Sequence, residues 1–161
     1  MGELLKIVHA ILGVLFISGL VGRWVTLGRA AQATEIRDLH TLLDLSSWFE
    51  RIVVVTSSLV LVFGVATAIA QGRPFLGPIQ GAPVDWLFAS LLIYLSAIPL
   101  VPVVFLPRGR VFGAALEEAA RDGAVTAKLH EAFADPVVRA AHIYEFAVTF
   151  TVLVLMIWKP F

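Results

Sequence analysis

Residues 52–72 read IVVVTSSLVLVFGVATAIAQG and hold no charged side chain between Arg51 and Arg73. A helix needs about 20 predominantly apolar residues to cross the roughly 30 Å of hydrocarbon in a bilayer. Three other stretches come close to this requirement: residues 7–22, 86–107 and 140–158, the last interrupted only by Glu145. The sequence therefore predicts an all-α four-helix bundle with transmembrane helices near residues 4–27, 48–70, 85–106 and 136–158, in one domain over residues 1–161.

The composition of the 161 residues also points to a membrane protein. Hydrophobic residues make up 59% and charged residues 15% of the chain, against about half and about a quarter in ordinary soluble domains. A soluble bundle would need a polar face on each helix, and these stretches are apolar all round. Twelve basic and twelve acidic side chains give no basic surface for nucleic acid, so the expected surroundings are a lipid bilayer. The lack of cysteine excludes thiolate metal sites and covalently attached c-type haem.

The first apolar stretch has a second interpretation. Lys6, the apolar run and Ala31-Gln32-Ala33 imitate the three regions of a cleaved signal peptide. We expect the segment to be retained as the first transmembrane helix.

Basic residues predict the orientation of the helices, because they concentrate on the cytoplasmic side of membrane proteins. Most of them lie on the linkers after helices one and three or at the adjoining helix ends: Arg23, Arg29, Arg37, Arg51, Arg108, Arg110, Arg121, Lys128 and Arg139. The other side holds Lys6, Arg73 and Lys159. This asymmetry places both long linkers in the cytoplasm and both termini outside.

Both long linkers carry apolar residues at helical spacing among charged ones, over residues 36–45 and 111–121. The pattern predicts a short amphipathic helix at the membrane interface in each linker. Gly123 is placed to end the second of these helices. Ser47 and Glu50 have the spacing of a capping box, which predicts that helix two begins there.

Prolines and glycines indicate where other elements end or bend. Asp135 and Pro136 fit the N-cap and first turn of helix four. Residues 72–83 are rich in glycine and proline and should form an irregular turn. Pro99 and Pro102 should kink helix three.

Charged residues inside a bilayer are costly, so the few that occur are informative. Arg23 and Glu145 both lie toward the cytoplasmic ends of their helices. We expect a salt bridge between them that holds helix one against helix four. A structural role is favoured over a proton relay.

His9 is the residue with the most specific chemistry. A neutral imidazole inside the membrane can ligate iron or copper, although a lone membrane histidine also serves as a hydrogen-bonded packing residue. At 1.5 Å per residue, His9 lies roughly 10 Å outside the bilayer midplane and His142 roughly 8 Å inside it, so the two cannot share one iron. Met156 lies near the depth of His9, and a His/Met axial pair is chemically reasonable. The alternative for Met156 is a flexible filler of the apolar core.

Three segments carry a resemblance to known proteins: residues 5–20 (LKIVHAILGVLFISGL), residues 48–51 (WFER) together with Gly64, and residues 155–161 (LMIWKPF). In these segments the chain resembles bacterial membrane proteins of domain-of-unknown-function family 2269. More distantly it resembles the HemJ-type protoporphyrinogen oxidases and the membrane part of copper-resistance D proteins, which share a histidine early in helix one. The resemblance implies a location in the bacterial inner membrane.

HemJ-type proteins bind haem b and oxidise protoporphyrinogen IX. The resemblance therefore implies haem b with His9 as its ligand, and Glu50, Arg51 and Lys159 match other polar positions of that family. HemJ-type helix three carries lysine and histidine, whereas residues 86–106 contain neither, which argues against porphyrinogen oxidation. Two methionines and no cysteine argue against copper transport.

Three functions follow as hypotheses, and the sequence leaves open whether any of them is enzymatic. The first is a b-type haem-binding redox protein with His9 as axial ligand. The second is a non-catalytic subunit or packing module of a larger membrane complex, associated with partner chains or with copies of itself. The third is a small transporter, which needs a water-accessible cavity near the kinked helix three.

Overall fold

The computed structural model describes residues 2–160, and over that range every regular element is helical. The helices are α1 (Gly2–Ala30), α2 (Ile36–Ala70), α3 (Trp86–Ser96), α4 (Leu106–Asp122), α5 (Ala127–Phe133) and α6 (Pro136–Trp158). Phe161, the last residue of the segments that carry the resemblance, lies outside the described residues.

Four helical units are long and apolar enough to cross a membrane: Gly2–Ala30, Ile36–Ala70, Trp86–Asp122 and Ala127–Trp158. Large apolar side chains are exposed along them, and Ile11, Val54 and Phe150 are 56%, 55% and 68% exposed. A continuous apolar surface of this kind is unfavourable in water and is the normal state of a helix in lipid. The prediction of an all-α integral membrane protein with four spans is confirmed.

Helices α1 and α2 form the most closely packed pair in the bundle. Glycines on α1 permit this approach, because a Cβ atom added at Gly22 would overlap the ring of Phe49. Small residues let neighbouring membrane helices approach each other's backbones. Phe16 and Leu20 of α1 are buried with Val53 of α2, and Phe146 of α6 packs against this cluster.

A second core lies where the α1–α2 and α4–α6 connections meet, at what we call the linker end of the bundle. It consists of the buried side chains of Ala30, Leu39, Ala115, Ala119 and Leu129. The apolar stripes of the two linkers therefore pack against each other. This pairing removes the buried positions of both stripes from water, and the location of the two amphipathic segments at the membrane interface stays a prediction.

The prediction that helix two begins at a capping box is wrong. Helix α2 runs without a break from Ile36 to Ala70, so the first amphipathic segment is its N-terminal part. The hydroxyl of Ser47 donates to the carbonyl of Asp44 at 2.7 Å inside the helix. No glycine or proline lies between residues 36 and 63, and without a helix breaker the chain has no reason to leave the helical conformation there.

The third span is interrupted, as its prolines predict. Helix α3 ends at Ser96, and a π-helical turn covers Val101–Phe105 before α4 begins at Leu106. Pro99 and Pro102 have no backbone N–H to donate to the helix. The N–H of Leu106 instead reaches back to the carbonyl of Val101, which is the wider hydrogen bond of a π turn. The amphipathic segment of the second linker continues directly from this break as α4.

The other local predictions are confirmed. Asp135 caps α6 by accepting from the N–H of Val137 at 2.8 Å, and Pro136 is the first residue of that helix. Gly123 ends α4 in the left-handed conformation with φ of 66°. The turn over residues 72–83 is irregular apart from a short 3-10 segment, Gly77–Gln80.

Candidate functional site

A buried charge cluster lies inside the bundle near the linker end. Arg23 of α1 is only 4% exposed. Its Nη1 donates to Oε2 of Glu50 on α2 at 2.7 Å, and its Nη2 donates to Oε2 of Glu145 on α6. Removing a charge from water is costly unless it is paired and hydrogen-bonded. One guanidinium therefore ties three membrane helices together.

The sequence led us to expect Arg23 beside Glu145, and the structure brings these two residues together. The position of Glu50 was not foreseen, because its spacing from Ser47 suggested a helix cap. Glu50 instead lies in mid-helix, where its side chain is free to reach α1.

His142 is a further member of the cluster that the sequence reasoning missed. Its Nδ1 lies 3.3 Å from Nη2 of Arg23 and 3.6 Å from Oε2 of Glu145. The ring stacks on Phe105 with centroids 4.9 Å apart and planes at 29°. Residues three apart share a helix face, so the spacing of His142 and Glu145 on α6 was the signal that could have found it.

An open cleft of about 400 Å³ adjoins this cluster. Its lining combines polar and apolar side chains from α1, α2, the π turn, α4 and α6: Arg23, Leu27, Leu43, Ser46, Ser47, Glu50, Phe105, Gly109, Phe112, Leu116 and His142. Phe105 ends the π turn, so the break in the third span places an aromatic ring in the wall of the cleft.

His9 occupies a separate position toward the other end of α1. It precedes Arg23 by fourteen residues, which is about 21 Å along a helix. Its Nδ1 lies 3.0 Å from the carbonyl oxygen of Val60 on α2. Because a carbonyl only accepts hydrogen bonds, Nδ1 carries the proton and Nε2 is left with its lone pair. No side chain or backbone group of residues 2–160 hydrogen-bonds that nitrogen.

The imidazole ring of His9 lies directly over Gly64. A Cβ atom added to Gly64 would lie 2.9 Å from Cε1 and 3.2 Å from Nδ1 of the imidazole. The shorter of these distances is below those of real Cβ contacts, so a larger residue at position 64 would displace the ring. The absence of a side chain at Gly64 therefore leaves the room in which the imidazole lies.

A family model for a predicted integral membrane protein, DUF2269, matches residues 3–160. The chain belongs to the DUF2269 family. No curated protein and no solved structure matches it. The family match agrees with the four-span fold and covers both the charge cluster and His9 of this DUF2269 chain.

The remaining predicted site residues of this DUF2269 chain lie apart from both positions. Met156 is half-buried on α6, and within residues 2–160 no hydrogen bond joins its sulfur to His9. The guanidinium of Arg51 lies over the ring of Trp48, 5.2 Å from its centroid. Lys159 lies 5.3 Å from the ring centroid of Trp86, at the end of the bundle opposite the linkers.

Metal binding by a cluster of side chains is not supported. Within the described residues no three histidine, aspartate or glutamate side chains are grouped so that they could hold a metal ion.

Proposed function

We propose that this DUF2269 protein is a membrane redox protein that binds b-type haem through Nε2 of His9. The observation that supports the proposal is the hydrogen bond from Nδ1 of His9 to the carbonyl of Val60 at 3.0 Å. Metal-ligating histidines almost always donate their other ring N–H to a carbonyl, carboxylate or water, which fixes both the tautomer and the ring orientation. The hydrogen bond to Val60 gives His9 this tautomer and ring orientation without a cofactor.

The surroundings of His9 also suit a haem ligand. The ring is held between its own helix and Gly64 of α2, and every fully buried polar side-chain atom of residues 2–160 has a partner. The unpartnered Nε2 therefore keeps some exposed surface, as a nitrogen that is to ligate haem iron requires. When bound, haem would supply one-electron chemistry. The chain would hold the iron through His9 and shield it with apolar side chains.

Met156 would be the second residue to hold the haem iron. It follows Glu145 by eleven residues, whereas His9 precedes Arg23 by fourteen. Measured from the contact between Arg23 and Glu145, the two candidate ligands lie in the same direction along antiparallel helices and differ in depth by about 5 Å. This match in depth supports the pair. We propose that Met156 also reaches the iron laterally, from α6.

The test is the visible spectrum of the detergent-purified protein after haem has been supplied. We expect a Soret band that His9→Ala removes. His40→Ala is the matched control, because His40 is exposed near the start of α2 and should leave the band unchanged. Absence of the band, or a band identical in the His9→Ala variant, would contradict the proposal.

A non-catalytic subunit or packing module is the alternative function. The helices expose apolar side chains over most of their length, and partner helices or further copies of the chain would be accommodated there as well as lipid. This alternative predicts a colourless protein that co-purifies with other chains. Cross-linking in the membrane followed by mass spectrometry decides it, since a protein that is always found alone cannot be such a subunit.

Transport of a small solute is favoured by one specific observation. The hypothesis requires a cavity beside the interrupted third span, and the cleft lined by Phe105 and Gly109 lies there. The chemistry of the cleft lining decides which solute it would take. Uptake into proteoliposomes tests this function, and uptake equal to that of empty vesicles would contradict it.

A further inference from the structure

We propose that the cleft at the linker end binds a primary ammonium group on an apolar body, with Glu50 and Ser46 as its polar contacts. The site is independent of the proposed haem site, which lies about 21 Å away along α1. Three features of the cleft lead to this ligand: its walls, its charge and one unpartnered hydroxyl group.

The walls of the cleft suit a small apolar body. Its volume of about 400 Å³ falls within the range of about 300–1,000 Å³ that is usual for small-molecule sites. The apolar part of the lining is formed by Leu27, Leu43, Phe105, Phe112 and Leu116. Two aromatic rings among these favour a ligand with an aryl group, because aromatic pairs gain more than the burial of their area alone.

The charge of the cluster excludes an anion and favours a cation. The guanidinium of Arg23 is already paired with the carboxylates of Glu50 and Glu145. One guanidinium and two carboxylates carry one negative charge in excess among Arg23, Glu50 and Glu145. An anion would have to displace a carboxylate that is already paired with Arg23, whereas a cation would balance the excess charge.

Glu50 is the carboxylate that a ligand can reach. Its side chain is 49% exposed, against 14% for Glu145. Arg23 binds Oε2 of Glu50, and within the described residues no donor reaches Oε1. This second oxygen therefore remains to accept a hydrogen bond from a ligand in the cleft.

Ser46 supplies the independent observation. The residue is 6% exposed and lines the cleft, yet its hydroxyl forms no hydrogen bond with the described residues. Every fully buried polar side-chain atom in that part of the chain has a partner, so the oxygen of Ser46 keeps some exposed surface, and the cleft is the space that Ser46 lines. Ser46 and Glu50 are four residues apart on α2 and share a helix face. A primary ammonium has three donors and can serve both oxygens at once.

The first experiment compares ligands that share one apolar body. The full-length protein in phosphatidylcholine nanodiscs is titrated calorimetrically with 2-phenylethylammonium, 2-phenylethanol, phenylacetate and the N,N,N-trimethyl form of the amine. We expect the primary ammonium to bind at least tenfold more tightly than the alcohol and than the trimethyl form, which has no N–H. Equal binding of the alcohol, or tighter binding of phenylacetate, would overturn the proposal.

The second experiment uses variants of the two contacts. Glu50→Gln should reduce affinity for the primary ammonium about tenfold without changing affinity for the alcohol, and Ser46→Ala should reduce it several-fold. Glu117→Gln is the matched control, because Glu117 is an exposed carboxylate on α4 outside the cleft. Should Glu50→Gln fail to fold, unchanged ammonium affinity in the Ser46→Ala variant would still overturn the proposal.

The third experiment identifies the source of the ammonium group. The calorimetric titration of the wild-type protein is repeated in nanodiscs that also contain phosphatidylethanolamine. Competition by this lipid assigns the site to a lipid amine, whereas an unchanged affinity assigns it to a soluble amphipathic amine. Both results support an ammonium site. The variant His9→Ala should leave the calorimetric affinities unchanged, because the haem proposal is tested separately by the Soret band.

Discussion

Arg23 donates a hydrogen bond to Glu145, although 122 residues separate them in the chain. The contact joins the first and last membrane spans, and Glu50 adds the second span through the same guanidinium. These residues are too far apart for any local rule to pair them. The cost of leaving a charge unpaired inside a membrane explains why they meet.

The first prediction concerns the stability that depends on this guanidinium. Arg23→Ala should lower the free energy of unfolding by about 3–5 kcal/mol, because it leaves the carboxylate of Glu145 buried without its partner. Arg51→Ala is the matched control, since Arg51 is exposed and lies over an indole ring. Thermal unfolding in detergent, followed by circular dichroism, measures both variants. Equal melting temperatures would contradict the structural role of Arg23.

Much of the fold could be predicted because its signals are local. Each span is a charge-free stretch, and the cap at Asp135 and the stop at Gly123 depend on residues within one turn. The capping box at Ser47 matched an equally local pattern and was wrong. Glu50 pairs with a buried guanidinium in another helix, and no helix breaker near Ser47 starts a new helix there.

The charge cluster and the cleft could be predicted only in part. Arg23 and Glu145 followed from their depth in the bilayer. The stacking of His142 on Phe105 depends on the π turn, which changes the direction of side chains after Pro102. The cleft depends on how the N-terminal part of α2 packs with α4, and that packing follows from two apolar stripes whose partner the sequence does not specify.

The second prediction concerns the contact between α1 and α2. Gly22→Ala should destabilise the protein by about 1–3 kcal/mol, because the added methyl group overlaps the ring of Phe49 in a close-packed contact. Gly28→Ala is the control on the same helix, where an added Cβ meets nothing within 4 Å. Chemical denaturation of both variants in detergent provides the comparison. If Gly22→Ala proves no less stable than Gly28→Ala, glycine at position 22 is not required for the close packing of α1 against α2.

The third prediction concerns the position of the His9 imidazole against Gly64. Gly64→Ala should move the imidazole, because the new Cβ would lie 2.9 Å from Cε1. The end of a side chain can shift at little cost, so we expect nearly unchanged thermal stability together with a shifted or weakened Soret band. Gly13→Ala is the control, since a Cβ there meets nothing within 4 Å. A haem spectrum identical in the two variants would show that the position of the ring does not determine binding.

The fourth prediction concerns the orientation of the bundle, which we expect to lie in a bacterial inner membrane. The two basic linkers meet in one core at the linker end, so the excess of arginine and lysine is concentrated on one side of the protein. Basic residues near membrane helices remain in the cytoplasm, and both termini should therefore be outside.

Alkaline phosphatase fused after Lys159 should be active, and green fluorescent protein fused there should not fluoresce. Fusions after Gly123, at the linker end, are the matched control and should behave in the opposite way. Fluorescence from the Lys159 fusion, combined with phosphatase activity from the Gly123 fusion, would mean that the arginine-rich end faces outward and would contradict the predicted orientation.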